Sequence, residues 1–376
     1  MHVFLEQVTS YELQTIIRAL RPMLQEVLKN LSENSRVVIK PNLLTRARPE
    51  EAITTHPVVL EALILLLGEK TQHILICDSP GGSSSASKLE EIFKITGLEQ
   101  LRLRTDVDLS RDTTTLDITL KGKHPVTVPI LKVLFDADLV INVAKCKTHA
   151  LMTYTGAVKN QFGAIHGLAK THQHLRFKEP LRFAEHLLDL SETLRFDYHL
   201  IDGITSMEGN GPSGGTPVDT GFLAGSSDPY TLDAVVAELV GLPLKKLPSV
   251  LESKKRSLID PDIQFPLKSP ETFSISPLKL PDSALSLGVN ITPAWLPKKL
   301  ASFIKRNLLS KPFILKQKCI GCMKCQDICP ANTIDRLHKK ASIDYENCIS
   351  CFCCHEICPV QAIDIRRGFR VRNERR

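Results

Sequence analysis

Four cysteines and a proline, Cys319, Cys322, Cys325, Cys329 and Pro330, return as Cys348, Cys351, Cys354, Cys358 and Pro359. No other feature limits the fold of this chain as tightly. In a C-x2-C-x2-C-x3-C-P run the first three thiolates wrap one iron-sulfur cubane, while the fourth, turned away at the proline, serves the other cluster. The spacing predicts two 4Fe-4S clusters, one on Cys319, Cys322, Cys325 and Cys358, the other on Cys348, Cys351, Cys354 and Cys329. A structural zinc site, which needs only four ligands in paired C-x2-C knuckles, is the alternative that the double run disfavours. Clusters of this kind pass single electrons, so electron transfer is the chemistry expected here.

The repeat extends beyond the ligands. The same 29-residue shift carries Ile314 onto Ile343, Ile334 onto Ile363 and Asp335 onto Asp364, the mark of an internal duplication. Each half reads as a short strand, a cluster loop, a helical turn after the proline and a second strand. Residues 313–366 resemble the bacterial two-cluster ferredoxins, which implies a small α+β ferredoxin-like domain. Cys353 has no place in the pattern and reads as a small residue packed beside Cys354. Of eleven cysteines only Cys77 and Cys146 lie outside residues 319–358, a crowding that signals metal rather than disulfides.

A chain of 376 residues is too long for a ferredoxin alone, and 43% hydrophobic with 24% charged residues is an ordinary globular composition. Residues 1–270 alternate β-rich runs (37–40, 74–77, 139–143, 199–201, 222–224) with helical stretches (13–31, 57–67, 180–194, 230–239). That rhythm predicts an α/β main domain with a mostly parallel sheet and flanking helices. The β runs are nearly continuous in Val, Ile and Leu, as expected for strands covered on both faces. The formal charge of +7 falls to roughly +3 once each cluster with its thiolates contributes about two negative charges, so basicity is weak ground for nucleic-acid binding. The longest apolar stretch, residues 58–67, is interrupted by Glu61 and too short to cross a bilayer. With no secretion signal at the start, a cytoplasmic protein without a transmembrane segment is expected.

Polar segments follow the strands: Lys40-Pro41-Asn42, Asp78-Ser79-Pro80-Gly81-Gly82, Lys145-Cys146-Lys147-Thr148-His149, Asp202-Gly203 and Ser226-Ser227-Asp228. In open α/β sheets the ligand crevice lies outside the carboxyl ends of the strands, so these segments are expected to converge on one site. Gly81 and Gly82 would let a backbone turn approach an anion, with Ser83 to Ser85 capping the next helix, but no Walker or dinucleotide fingerprint is present. Ile39-Lys40-Pro41-Asn42-Leu43, Asn142-Val143-Ala144-Lys145, Lys147-Thr148-His149 and the run Thr155-Gly156-Ala157-Val158-Lys159-Asn160-Gln161-Phe162-Gly163 carry a further resemblance. With Asp202-Gly203-Ile204, Met207-Glu208-Gly209 and Asp233, they resemble the uncharacterised iron-sulfur-centre family known as domain of unknown function 362, over roughly residues 35–245. Its members are often joined to a ferredoxin module. The resemblance implies a fold and a cofactor and supplies no reaction.

Lys40, Asn42, Lys145, Lys159 and Asn160 are the candidate substrate-binding residues, a cationic, hydrogen-bonding set suited to a carboxylate or phosphate. Lys147 and His149 are the candidate catalytic residues: an imidazole titrating near neutrality as general acid, and an ammonium to stabilise developing charge. The alternative for each is a solvated or turn-closing side chain. Cys146, between two lysines, reads as a core residue before it reads as a nucleophile. Asp78, Asp202, Glu208, Asp228 and Asp233 are candidate ligands for a divalent metal, with helix caps and turns as the competing explanation. The glycine-rich stretch 209–215 reads as a mobile loop, a lid over the crevice or an ordinary solvent loop.

Residues 271–312 read as a linker or extended wrap followed by a basic amphipathic helix over 295–309, suited to docking the two domains and less so to touching a membrane surface. The basic tail, residues 367–376, is solvated or steers an acidic redox partner. The whole implies a ferredoxin-linked oxidoreductase delivering electrons to a small anionic substrate in the α/β domain. The rival is a non-catalytic electron carrier or redox sensor whose α/β domain binds a partner protein or ligand.

Overall fold

The computed structural model describes residues 1–82, 85–123, 125–286 and 309–367. Ten strands belong to the larger region: β1 (Phe4–Gln7), β2 (Val37–Pro41), β3 (Ile74–Ile76), β4 (Asp108–Leu109), β5 (Thr115–Leu120), β6 (Val126–Leu131), β7 (Leu139–His149), β8 (Thr153–Thr155), β9 (Tyr198–Glu208) and β10 (Thr216–Ser226). Eight of them form one sheet in the order β1-β10-β9-β7-β2-β3-β4, with β8 folded back on β7. The β9-β7-β2-β3-β4 stretch is parallel, while β1, β10 and β8 pair antiparallel. β5 and β6 form a separate hairpin.

Every residue of β2 is buried because the sheet is covered on both faces. Val37 and Ile39, with Ile141 and Val143 of β7, enter a core closed by the helices Leu13–Met23, Pro57–Gly68 and Ala86–Ile95. Val38 and Val140 point the other way, into a core shared with the β5-β6 hairpin and the helix Pro180–Thr193. A third core lies between Ile201, Phe222 and Ala224 and the helices Pro229–Leu239 and Pro248–Lys255. Phe265, Phe273, Ile275 and Leu280 pack against it from the segment that follows.

Three expectations change. The helix foreseen over residues 13–31 is two helices, Leu13–Met23 and Gln25–Lys29, parted at Leu24 just after Pro22. Because β10 is antiparallel, Ser226 pairs with His199 at the start of β9, so Ser226-Ser227-Asp228 lies at the opposite end of the sheet from the other polar segments. Lys145 to His149 and Asp202-Gly203 are inside long strands rather than beyond short ones: β7 and β9 are eleven residues each. Among the described residues no helix is long and apolar enough to cross a membrane. The basic helix over 295–309 falls almost wholly outside the described residues, as do Ser83, Ser84 and all but the first residue of the tail 367–376.

The C-terminal region is built from two crossed halves. β11 (Ser310–Ile314) pairs with β14 (Ile363–Arg367), and β12 (Ile334–Leu337) with β13 (Lys340–Ile343). Each half's first strand therefore joins the other half's second. The helical turns Lys324–Asp327 and Cys353–Ile357 precede the fourth cysteine of each run instead of following the proline.

Candidate functional site

The duplication governs the backbone of the cysteine loops. Left-handed residues recur at equivalent places in the two halves: Gly321 and Ser350, Met323 and Phe352, Asn332 and Gln361. A non-glycine residue adopts that conformation only where its surroundings impose it, and here the loops must curl around a centre. Two small apolar cavities result. One is bounded by Cys319, Cys322, Cys325 and Cys358, with an empty volume of about 340 Å³. The other is bounded by Cys329, Cys348, Cys351 and Cys354, at about 320 Å³. Both volumes include space open to solvent.

The donor chemistry fits iron-sulfur clusters. The lining is thiol and aliphatic, and the fourth cysteine of each half accepts a backbone N–H: Thr333 N to Cys329 Sγ at 3.4 Å, Ala362 N to Cys358 Sγ at 3.1 Å. Hydrogen bonds of this kind help set cluster potential. Among the described residues no three Cys, His, Asp or Glu side chains gather as a single bound ion requires. Cysteines spread around a cavity suit a multi-atom cluster rather than zinc.

Where the C-terminal region meets the sheet there is a crevice, with an empty volume of about 670 Å³ that includes space open to solvent. β2 and the turn after it bring Lys40 and Asn42; β7 brings Lys147 and His149; the short helix Ala157–Asn160 brings Lys159 and Asn160; the helix Ala169–Arg176 brings Lys170 and His174. Asp233 accepts the Ala157 and Val158 N–H groups at 2.6 and 3.0 Å, fixing the start of the Ala157–Asn160 helix. The crevice is closed from the other side by Ile328, Cys353 and Glu356.

Its polar groups are tightly organised. Asn42 donates to Asn160 Oδ1 at 2.9 Å, and Asn160 donates to Asn142 Oδ1 at 2.8 Å. The Lys147 ammonium donates to Asn42 Oδ1 at 3.0 Å and to the Ile53 carbonyl at 2.5 Å. Lys170 donates to the Ser79 carbonyl and hydroxyl and to the Ile165 carbonyl. Lys159 stands 4.9 Å from the centre of the Phe162 ring. Among the described residues none of these three lysines is salt-bridged to a carboxylate. Burial without such a partner lowers Lys147 and Lys170 to about 7, the charge of Glu356 opposing this at Lys147 and that of Asp78 at Lys170. Thr155 Oγ1 and His174 Nδ1, both facing the crevice region, are buried without a hydrogen-bond partner.

His149 ties the two regions together. Its Nδ1 accepts the Leu151 and Met152 N–H groups, leaving the proton on Nε2, which lies 3.2 Å from Glu356 Oε1. Burial drops the imidazole to about 4. Burial also opposes ionisation of Glu356, yet His149 and Lys159 hold that carboxyl down at about 2. At neutral pH the pair is a neutral ring donating to a carboxylate.

The model of the domain of unknown function DUF362 matches residues 37–238, more than half of the chain. The chain belongs to that family. A 4Fe-4S dicluster domain matches residues 311–359, so the DUF362 domain is joined to a ferredoxin-type region. The thylakoid-associated protein sll1697 of Synechocystis sp. is 30% identical over 310 residues, spanning 79% of this chain and 91% of that protein. Two solved structures are more distantly similar. The lactate racemase apoprotein of Thermoanaerobacterium thermosaccharolyticum is 16% identical at a TM-score of 0.43, covering 63% of this chain. A structural-genomics protein of Thermotoga maritima is 11% identical at 0.37, covering 56%. The chain spans 56% and 55% of those two proteins.

Within the DUF362 domain, the structure brings Lys40, Asn42, Lys147, His149, Lys159 and Asn160 to one crevice and leaves Lys145 out. Lys145 Nζ is paired at 2.8 Å with Asp202 and donates to the Tyr11 hydroxyl at 2.8 Å, and the β7-β9 register shifts between it and Lys147, the extra residues lying on β9. Lys40 reaches the crevice already paired with Asp78 at 2.7 Å. At about 4, His149 does not fit the general acid titrating near neutrality that its residue type suggested. The carboxylates considered for a divalent metal do not gather: Asp78 and Asp202 hold lysines, Glu208 holds Lys279, Asp228 caps the helix Pro229–Leu239, and Asp233 binds two backbone N–H groups. Cys146 is buried in the third core, its thiol pushed up to about 12 by burial. The loop 209–215 is pinned to the ferredoxin-type region: His355 contacts the Asn210 carbonyl at 2.8 Å and Gln361 donates to the Ser213 carbonyl at 3.1 Å.

Lys170, His174, Cys353 and Glu356 were not foreseen in the crevice. Lys170 and His174 are four residues apart on one helix, a spacing that aligns side chains on a face. Cys353 and Glu356 share the same relation at three residues, hidden inside the cysteine motif.

Proposed function

We propose that the chain is an iron-sulfur oxidoreductase that reduces a small anionic compound held in the crevice. The observation that carries this reading is the two-faced helix Cys353–Ile357: Cys354 bounds a cysteine cavity, while Cys353 and Glu356 line the crevice. Two 4Fe-4S clusters, on Cys319, Cys322, Cys325 and Cys358 and on Cys348, Cys351, Cys354 and Cys329, would supply electrons one at a time beside the substrate.

The chain's own residues bind, orient and protonate. Lys147, Lys159 and Lys170 present three ammonium groups to the anion, and the unpaired Thr155 Oγ1 and His174 Nδ1 stand ready for its polar atoms. Phe162 supplies an apolar wall that keeps water from the lysine charges. A two-electron reduction consumes two protons. Lys147 Nζ and Lys170 Nζ each hold one at an affinity near neutrality, where a donor is most effective. Asn42 and Asn160 aim Lys147, and the His149–Glu356 pair seats the ferredoxin-type helix.

The test is anaerobic. The purified protein is reduced, the small-molecule fraction of its own cell extract is added, and recovery of visible cluster absorbance is followed. Repeated reoxidation that is lost in Lys147→Met with iron content unchanged is the expected result. Clusters that stay reduced until a protein fraction is supplied would point instead to an electron carrier.

A further inference from the structure

The two cysteine cavities face different ways. The one bounded by Cys329, Cys348, Cys351 and Cys354 lies beside the crevice, Cys354 following the crevice-lining Cys353, whereas the other turns Cys358 toward the pocket shared with the α/β region and Cys322 to the surface. Cys322 is exposed, and at the rim of that cavity Ile320 and Val360 are 63% and 36% exposed. The β12-β13 hairpin reaches the same rim: a Cβ added to Gly321 would lie 2.1 Å from the Lys339 carbonyl, and Lys340 Nζ donates to the Cys319 carbonyl. Leu337 on this hairpin is 50% exposed. The segments that carry these apolar groups hold Lys316, Lys318, Arg336, Lys339 and Lys340 against Asp335, while Lys324 and Asp327 line the pocket toward the α/β region with Lys88 and Glu356. Among the described residues these cations form no salt bridge, and Lys340 is held by the Cys319 carbonyl.

We propose that this rim docks an acidic one-electron carrier protein. The inference rests on the electron-transfer reading above. An apolar centre ringed by charge of one sign is the anatomy of a transient interface, where charge speeds encounter and a small dry contact permits release. The occupant must be acidic because the ring is cationic. Other segments of this chain do not meet that requirement: residues 287–308 carry Lys298, Lys299, Lys305 and Arg306 without a carboxylate, and residues 368–376 carry four arginines against Glu374. A second copy of the chain, still net positive at roughly +3 once its clusters are counted, lacks the acidic charge that the ring calls for.

The probe is an acidic plant-type 2Fe-2S ferredoxin, titrated calorimetrically into the full-length holoprotein under anaerobic conditions. Binding at low salt that weakens as ionic strength rises is expected. Lys318→Glu with Lys339→Glu should lower affinity at least tenfold. Lys29→Glu with Lys70→Glu, on exposed lysines of the α/β region, should change it less than twofold. Ile320→Ser, which keeps the charge, should lower it severalfold. Carbodiimide should join carrier carboxylates to Lys316, Lys318 or Lys339 as amides, with loss of water. Iron content and circular dichroism establish that each variant is folded. Absence of binding at low salt, equal losses from both charge-reversal pairs, or cross-links confined to other lysines would overturn the proposal. These readouts concern binding alone, so a crevice that turns nothing over would leave them unchanged.

Discussion

Lys147 shows how burial and charge set a side chain's use. Its ammonium is wholly enclosed, hydrogen-bonded to two neutral oxygens and held near 7 by desolvation. An anion bound beside it favours the charged form and raises its proton affinity. Sulfate, which does not titrate between pH 5 and 10, is a suitable probe. Below pH 7 Lys147 and Lys170 are already charged and sulfate affinity should be flat. Above pH 7 binding must also protonate them, so affinity should fall and proton uptake should appear in calorimetry across buffers of different ionisation enthalpy. An affinity flat from pH 6 to 9 would remove the lysines from the site. Lys147→Met should abolish the proton uptake that this residue contributes and weaken sulfate binding by about tenfold, the scale of one charge-assisted hydrogen bond.

At the scale of elements, the short helix Ala157–Asn160 is held by a residue far away in sequence. Asp233, on the helix Pro229–Leu239, accepts two N–H groups that have no partner within so short a helix. Asp233→Ala should cost roughly 2 kcal/mol in urea unfolding. It should also weaken sulfate binding, because Lys159 and Asn160 ride on that helix. The cysteine loops allow a sharper contrast. Cys322→Ala should lower iron and sulfide content, whereas Cys353→Ala should leave both intact, since Cys353 faces the crevice and not a cysteine cavity. Full iron content in Cys322→Ala would contradict the ligand assignment.

Across the whole molecule, the crevice exists only because two regions meet. Their contact uses the loop 209–215, where a Cβ added to Gly214 would lie 2.5 Å from His355 Cε1. Gly214→Val should push the loop away from the ferredoxin-type helix. Hydrogen exchange at residues 353–357 should then quicken while the buried strand β2 stays protected, and the His149–Glu356 contact should be lost. Uniform quickening in both places would mean general destabilisation instead.

What the sequence determined by itself was local. Cysteine spacing is a statement about loops a few residues long, and the 29-residue repeat carries with it the left-handed positions that curl those loops. Continuous runs of Val and Ile announced strands buried on both faces, because no other setting rewards them. Lys147, Lys159 and Asn160 were legible as polar residues following a β-rich run or beside a glycine, although Lys147 proved to lie within β7. The tertiary structure decided the rest. Whether a strand runs parallel or antiparallel depends on its neighbours, so the placement of Asp228 at the far end of the sheet was invisible in the chain. Lys145 and Lys147 look equivalent until Asp202 takes one and Asn42 the other. Glu356 and Cys353 belong to the crevice only because the helix that carries Cys354 has a second face, and what that face meets is fixed by contacts across some two hundred residues, such as His149 with Glu356.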